Sequence, residues 1–582
     1  MLGNCRVIAL LLTSSLLVGA CSSASPPMPD RAPSAASGSG VTSSQPSIPK
    51  RIVAAIAGDP YTLSAKLNTS GPGSNVAGTD ALEDLVNAGL ANMDNQSQLH
   101  AVLADAVPTI ENGQSKLLPD GRMETTWRLR PNTFWHDGVP FTSDDLLFTA
   151  QVSQNPEVGW EHDAAFDAIE SVAAPDSRTL TVTWKRPFVE ADTLFSHAVS
   201  GRTVPLPRHL LGQAFAEDPA NLMNQPYWSE QFVGTGPFKL RTWERGNHLI
   251  VDANDQYVLG RPKIDEVEVK IFSDPRTLTA SILAGAIDLT MGRGISLEQA
   301  AQIRDQWPGG HMDLRLNNAI IASPQLLDAT PPVVMNLQFR RALLMALDRQ
   351  QMVDTFQFGL TSVAHSYLST EDPAYPEIAP TVPHYDYDPR RAMQMIEGLG
   401  YTRGADGLYH DASGQPITLE VRVSAGNDVT EKSTLAVADA WRQVGVAADA
   451  RIDPAQRSRD REYAATFPSF FVQQNPNDPA RLNRLSSAQV PTAANRFIGA
   501  NTPRYANSDF DALLQRYGTT IPLPARRQVL GQIVDQIADQ VIQLGLFYIS
   551  EPTLIANRVL NATARPPAST QAWNAVEWDV KQ

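Results

Sequence analysis

The sequence predicts a mixed α/β fold divided into more than one domain. Some short stretches alternate apolar and polar residues with period two, and others place apolar residues three and four apart. Pro, Gly and Asp punctuate the joins between them. The chain has 582 residues, well beyond the size at which a single hydrophobic core stops growing.

In chain order, regular structure begins at "RIVAAIAGDPYTL", from Arg51. Thr142 and Asp145 in "FTSDDLLFTA" match a capping box opening a helix, with Leu146, Leu147 and Phe148 behind it. Leu180, Val182 and Trp184 alternate in "TLTVTWK", as do Val267, Val269 and Ile271 in "DEVEVKIF". Ile417, Leu419, Val421 and Val423 repeat the pattern in "ITLEVRVS", so each stretch predicts a strand with one apolar face. "GTGPFK", Gly234 to Lys239, and "MGRGIS" start like glycine loops but lack a third glycine and a following helix signal. Both read as tight turns.

Phe339, Ala342, Leu343, Ala346 and Leu347 share a helical face in "QFRRALLMALDRQ". In "YDPRRAMQMIEGLGY", Asp388 suits an N-cap, Pro389 the first helical position and Gly400 the stop. Ala392, Met395, Ile396 and Leu399 would face inward. A further helix, with Val437, Ala440, Trp441 and Val444 inward, runs into "QVGVAADARI" and feeds a strand. No repeat period is present.

Composition removes several function classes. With 62 acidic and 47 basic residues the net charge is −15, and no dense Lys/Arg block offers a footprint for nucleic acid. Cys5 and Cys21 are the only cysteines, so the body has no disulfide, thiolate metal site or cysteine nucleophile. No G-x-S-x-G elbow, H-E-x-x-H, P-loop or complete G-x-G-x-x-G occurs. His136 beside Asp137 in "FWHDGVPF" is loop chemistry, and Glu161, His162 and Asp163, being adjacent, do not share a helical face. The expectation is a protein that is not an enzyme and carries no cofactor or metal.

Arg6 precedes an apolar run, Val7 to Leu17, that is too short to span a bilayer. With Val18-Gly19-Ala20 after it, residues 1–20 read as a secretory signal peptide. Those small residues directly before Cys21 resemble the lipobox of bacterial lipoproteins, which implies lipid on the Cys21 thiol and cleavage just before it. Residues 21–48 are Ser, Pro, Ala and Gly with almost no large apolar side chain, and read as a disordered tether with a reach of about 30 Å.

Four stretches in order then carry a resemblance: "WRLRPNTFWHDGVPFTSDDLLFT", "FVGTGPFKLRTWERGNHLIVDANDQYVLGRPKIDEVEVKIFSDPRTLTASILAGAIDL", "LQFRRALLMALDRQQMV" and "YDYDPRRAMQMIEGLGY". They resemble the motifs of family 5 extracellular solute-binding proteins, the peptide- and nickel-binding receptors of ABC importers. The resemblance implies a two-lobed α/β fold of the large, class II periplasmic-binding-protein type. One lobe would comprise 49–275 with 541–582, and the other 276–540, closing by hinge bending on a ligand in the cleft. It also implies a monomer delivering solute to ABC permease subunits, placed outside the cytoplasmic membrane and held there by its lipid.

Peptide-binding members carry a buried aspartate in an "A-D-Y-x-D/E-P" motif that pairs with the peptide α-ammonium. In "FFVQQNPNDPARL", aligning Asp478-Pro479 with the motif's end puts Asn475 in that place. An amide accepts a hydrogen bond but supplies no charge, and breaking a buried ion pair costs about 3–5 kcal/mol. Free peptides then need another acid, for which Asp59 in "AGDPY" is a candidate. Otherwise a neutral ligand such as an oligosaccharide gains, with Gln473, Gln474 and Asn475 serving hydroxyls and Phe470 or Phe471 stacking. Tyr61, Trp160 and Trp573 complete the candidate cleft residues. A metal chelate, a lipoprotein scaffold in envelope biogenesis and a secreted hydrolase are the other readings.

Overall fold

A ten-stranded mixed sheet forms the spine of the molecule. The computed structural model describes residues 49–67, 76, 78–160, 163, 165–198, 202–292, 294–454, 456–457, 460–564 and 569–581. The signal segment, Cys21 and the whole tether lie outside the described residues, as do Glu161 and His162. The strands are β1 (Arg51–Ala57), β2 (Phe238–Glu244), β3 (His248–Ala253), β4 (Glu266–Phe272), β5 (Leu289–Thr290), β6 (Gly310–Pro324), β7 (Thr418–Ser424), β8 (Ala447–Asp453), β9 (Phe470–Pro476) and β10 (Leu544–Ala556). Their order across the sheet is β8-β7-β9-β6-β10-β5-β1-β4-β3-β2.

β1 pairs in parallel with both β4 and β5. Ile52, Ala54, Ala55 and Ile56 are all buried, as expected for an interior strand covered on both faces, whose sequence reads as a nearly unbroken apolar run. "TLTVTWK" sits in a separate antiparallel sheet of Ser115–Leu117, Met123–Arg128, Thr179–Trp184 and Ile169–Asp176, in that order. Its alternation is the expected one: Leu180, Val182 and Trp184 are buried against Trp127 in one core.

β6 and β10 are the long strands, with 15 and 13 residues. They run antiparallel from Gly310 opposite Ala556 to Ala322 opposite Leu544, with register shifts between Leu316 and Asn318 and between Ile320 and Ile321. At one end Leu554 and Ile555 join the core built on β1, β3 and β4. At the other, Ile320, Ala322, Leu544 and Phe547 join a second core with β7 and β9. The first core also takes Leu278, Ile282, Ala300, Ile303 and Trp307, from a stretch that the sequence places with the other lobe.

The helices that position the site are α1 (Thr79–Val86), α2 (Ser143–Gln154), α3 (Leu337–Met345), α4 (Pro389–Gly398), α5 (Asp428–Gln443), α6 (Ser508–Thr519) and α7 (Leu523–Asp539). The Thr142–Asp145 capping box opens α2. The Asp388 carboxylate accepts from the Arg391 N–H at 2.9 Å to start α4, and Gly400 just beyond that helix has φ +91°. α5 connects the parallel strands β7 and β8. Its buried Trp441 donates its indole N–H to the Leu343 carbonyl at 3.0 Å, tying α5 to α3.

"GTGPFK" is a close-approach loop, which explains its glycines. A Cβ at Gly234 would stand 1.9 Å from the Val86 oxygen, and one at Gly236 2.4 Å from the Val86 carbonyl carbon. His136 locks this loop from the other side. The Gly234 N–H donates to its Nδ1 at 3.3 Å, and its Nε2 donates to the Gly236 carbonyl at 3.1 Å. Burial pushes the imidazole down to about 4, so it stays neutral.

The α6–α7 hairpin packs in a core of its own and reaches across to the four-stranded sheet. The Val189 N–H donates to the Gly518 carbonyl at 3.1 Å, and Ile521 packs on the core of the four-stranded sheet. Among the described residues no helix is long and apolar enough to cross a membrane.

Candidate ligand site

β9 carries the polar run that the sequence singles out. Strand alternation sends Phe471, Gln473 and Asn475 to one face and Gln474 to the other. Asn475 sits opposite Ala319 of β6. Just past the strand the backbone turns at Pro476–Asp478. The Tyr367 hydroxyl lies 3.3 Å from the Pro476 carbonyl and 3.2 Å from that of Asp478, and donates to one at a time. The Asp478 carboxylate accepts from the Ala480 N–H at 2.9 Å and so starts the short 3-10 helix Pro479–Leu485.

Two adjoining cavities open here. The larger, about 400 Å³ with its mouth included, is lined by Ile321, His365, Tyr367, Asn475, Asn477 and Gln543, with smaller residues between them. The smaller, about 280 Å³, has Gln473, Asn475, Tyr367, Arg481, Arg484 and Gln543 in its wall. Tyr367, Asn475 and Gln543 belong to both, and no carboxylate side chain lines either among the described residues. Asn477 is only 7% exposed, yet its side-chain nitrogen has no hydrogen-bond partner. A buried amide donor left unpaired is costly, and a bound acceptor group would relieve it.

The electrostatics fit a site for neutral or anionic groups. Burial, with the nearby Arg349 and His384, pushes His365 down to about 4. Burial also raises the Tyr367 phenol and the Asp478 carboxyl. What faces the space is amide, hydroxyl, uncharged imidazole and guanidinium. It can hold hydrogen-bonding solutes.

A third cavity, about 280 Å³, lies on the first core's side and includes Lys66, Glu83, Trp160, Arg202, Tyr227 and Trp228 in its lining. Lys66 Nζ stands 5.2 Å from the centre of the Trp160 ring. Arg202 donates to Asp163 at 2.7 Å and also pairs with Glu190. Burial raises Glu190, opposed by Arg202 and reinforced by Asp478 of the second core's side.

The other expected residues go elsewhere. The Asp59 carboxylate accepts from the Gly246 N–H at 2.9 Å, which commits it to the turn between β2 and β3. Tyr61 beside it is 73% exposed. Gln474 accepts from the Asn427 side chain at 3.2 Å, and Phe471 packs on Phe467 with ring centres 5.7 Å apart. The Trp573 indole N–H is buried without a partner. None of these five lines any of the three cavities. Sequence reasoning missed His365, Tyr367, Asn477, Arg481 and Gln543. A signal existed for Asn477, two places beyond Asn475 in the same polar run.

The family model "Bacterial extracellular solute-binding proteins, family 5 Middle" matches residues 115–495. The chain belongs to this family. Its members are solute-binding proteins, and the chain is one of them rather than an enzyme. It is similar to the oligopeptide-binding protein AppA of Bacillus subtilis, 25% identical over 372 residues. That match takes in 64% of this chain and spans 64% of the relative's length. Among solved structures, an oligopeptide-binding protein from Thermus thermophilus with a pentapeptide superposes with TM-score 0.68 at 21% identity, covering 91% of this chain and 96% of that one. NikZ from Campylobacter jejuni with Ni(L-His) gives 0.68 at 20% identity, covering 91% and 100%. The family 5 solute-binding protein has the two-lobed α/β fold of these neighbours.

Proposed function

We propose that this family 5 protein is the extracytoplasmic receptor of an ABC importer. It captures a peptide or peptide-like solute and passes it to permease subunits, held to the membrane by lipid on Cys21. The crossover between lobes falls within β6 and β10, near residues 313–316 and 550–553, which moves 276–307 into the first lobe. The observation that carries the reading is the pair of cavities around Asn475, roofed by amides and hydroxyls rather than acids. Such walls pair with the main-chain groups of an extended peptide without regard to sequence. The same absence of a carboxylate favours, as a second reading, a ligand lacking a free ammonium, such as an oligosaccharide.

A thermal-shift screen of the full chain against peptides, oligosaccharides and metal chelates tests the reading. Ligand at a hundred times its Kd adds about 2.7 kcal/mol of stability, so one class should raise Tm clearly. Silence from all three classes overturns solute capture. Asn475→Asp should tighten binding of peptides with a free amino terminus by about tenfold or more and weaken neutral ligands. Unchanged affinity for both would remove Asn475 from the site.

A further inference from the structure

Beside the larger cavity stands a side-chain cluster that the solute reading does not use. His365, His384 and Asp386 each bring one ligand atom to within 4.8 Å of the others, the one such group among the described residues. His365 is half-buried and lines the cavity. His384 and Asp386 are exposed two residues apart, in the segment leading to α4.

The backbone around them is pinned. The Ala364 N–H donates to the Leu546 carbonyl at 3.3 Å and the Tyr548 N–H to the Ser362 carbonyl at 3.1 Å, which sets His365 against β10. Arg349 donates to the Tyr385 carbonyl and, at 2.9 Å, to the Gly545 carbonyl, holding the 384–386 segment close by. The two imidazoles stack with centres 4.3 Å apart and planes 8° from parallel.

We propose that His365, His384 and Asp386 form a site for a divalent transition-metal ion of the Zn²⁺ or Ni²⁺ class at the rim of the solute cavity. Two imidazole nitrogens and one carboxylate oxygen suit these ions, whereas Mg²⁺ and Ca²⁺ call for all-oxygen shells. Closing on an ion requires the His384 ring to leave the stack so that its lone pair converges with that of His365. Being exposed, it has room to turn. Arg349 approaches His365 Nδ1 to 3.5 Å, and its charge opposes the ion while Asp386 offsets it. Three protein ligands leave coordination positions open to water or to a donor atom of the solute.

The test is calorimetric titration of the EDTA-stripped full chain with ZnCl₂ and NiCl₂, with MgCl₂ as control. The unmodified chain should take up one equivalent of Zn²⁺ or Ni²⁺ and no Mg²⁺. Losing an outer partner of a metal site costs about 10–100-fold, so His384→Ala and Asp386→Asn should each weaken uptake by at least about tenfold. Both positions are exposed, so neither change threatens the fold. As a second readout, Ni²⁺ should broaden the imidazole proton resonances of His365 and His384. No saturable uptake, or equal affinity in the unmodified chain and both variants, overturns the site. Neither His384 nor Asp386 lines the cavities, so failure here leaves solute capture standing.

Discussion

His136 is held by both ring nitrogens and kept uncharged, and this has a measurable cost in acid. Its folded-state value is about 4, below the ordinary value of 6.5, so the unfolded chain takes up a proton first as pH falls. Stability is fully present above about pH 6.5 and is lost progressively down to about pH 4. The loss is on the order of 3 kcal/mol, since one unit is worth about 1.4 kcal/mol. Because His365 is depressed in the same range, urea melts of the unmodified chain and of His136→Gln across this window should both lose stability, with the steeper slope in the former; equal slopes would mean that the His136 ring titrates freely. At the site, Asn475 and Gln473 were legible because a motif and a polar strand both mark them. Tyr367 and Gln543 were not. They reach the cavity from segments more than 60 residues away on either side of β9, and local sequence pattern carries no trace of such a meeting. Asp59 and Trp573 line none of the three cavities, and residue type alone does not tell a turn-former such as Asp59 from a ligand contact.

Glycine placement decides how elements meet. The "GTGPFK" loop touches the end of α1 so closely that Gly236→Ala forces backbone on backbone, 2.4 Å from the Val86 carbon. We expect a loss above about 4 kcal/mol, at the exceptional end for single substitutions. Gly212, within the helix Arg208–Glu217, would place a Cβ only 3.5 Å from a flexible Arg208 carbon. Gly212→Ala should therefore be neutral or stabilise by up to about 1 kcal/mol. Denaturant midpoints of the two variants check both, and similar midpoints would deny the close approach. Elements with one buried face were legible down to their caps, as Asp388 of α4 shows. β6 and β10 were not. Register shifts interrupt β6, and a strand covered on both faces loses its alternation.

Across the whole molecule, two cores share two continuous strands, and the side of the four-stranded sheet meets the α6–α7 hairpin where Val189 bonds Gly518. If the halves close by bending in β6 and β10, spin labels at Arg186 and Arg516, on a chain with Cys5 and Cys21 replaced by serine, should report it. Adding the ligand found by thermal shift should enrich the shorter of two distances; a single unchanged distance would mean a rigid body. Lys50 reaches Asp579 at 2.7 Å, and Arg558 binds Asp288 and the Arg51 carbonyl beside it. The stretches around Lys50 and Asp579 are thus buckled together on one half, so a load applied at residue 49 is borne first by that buckle.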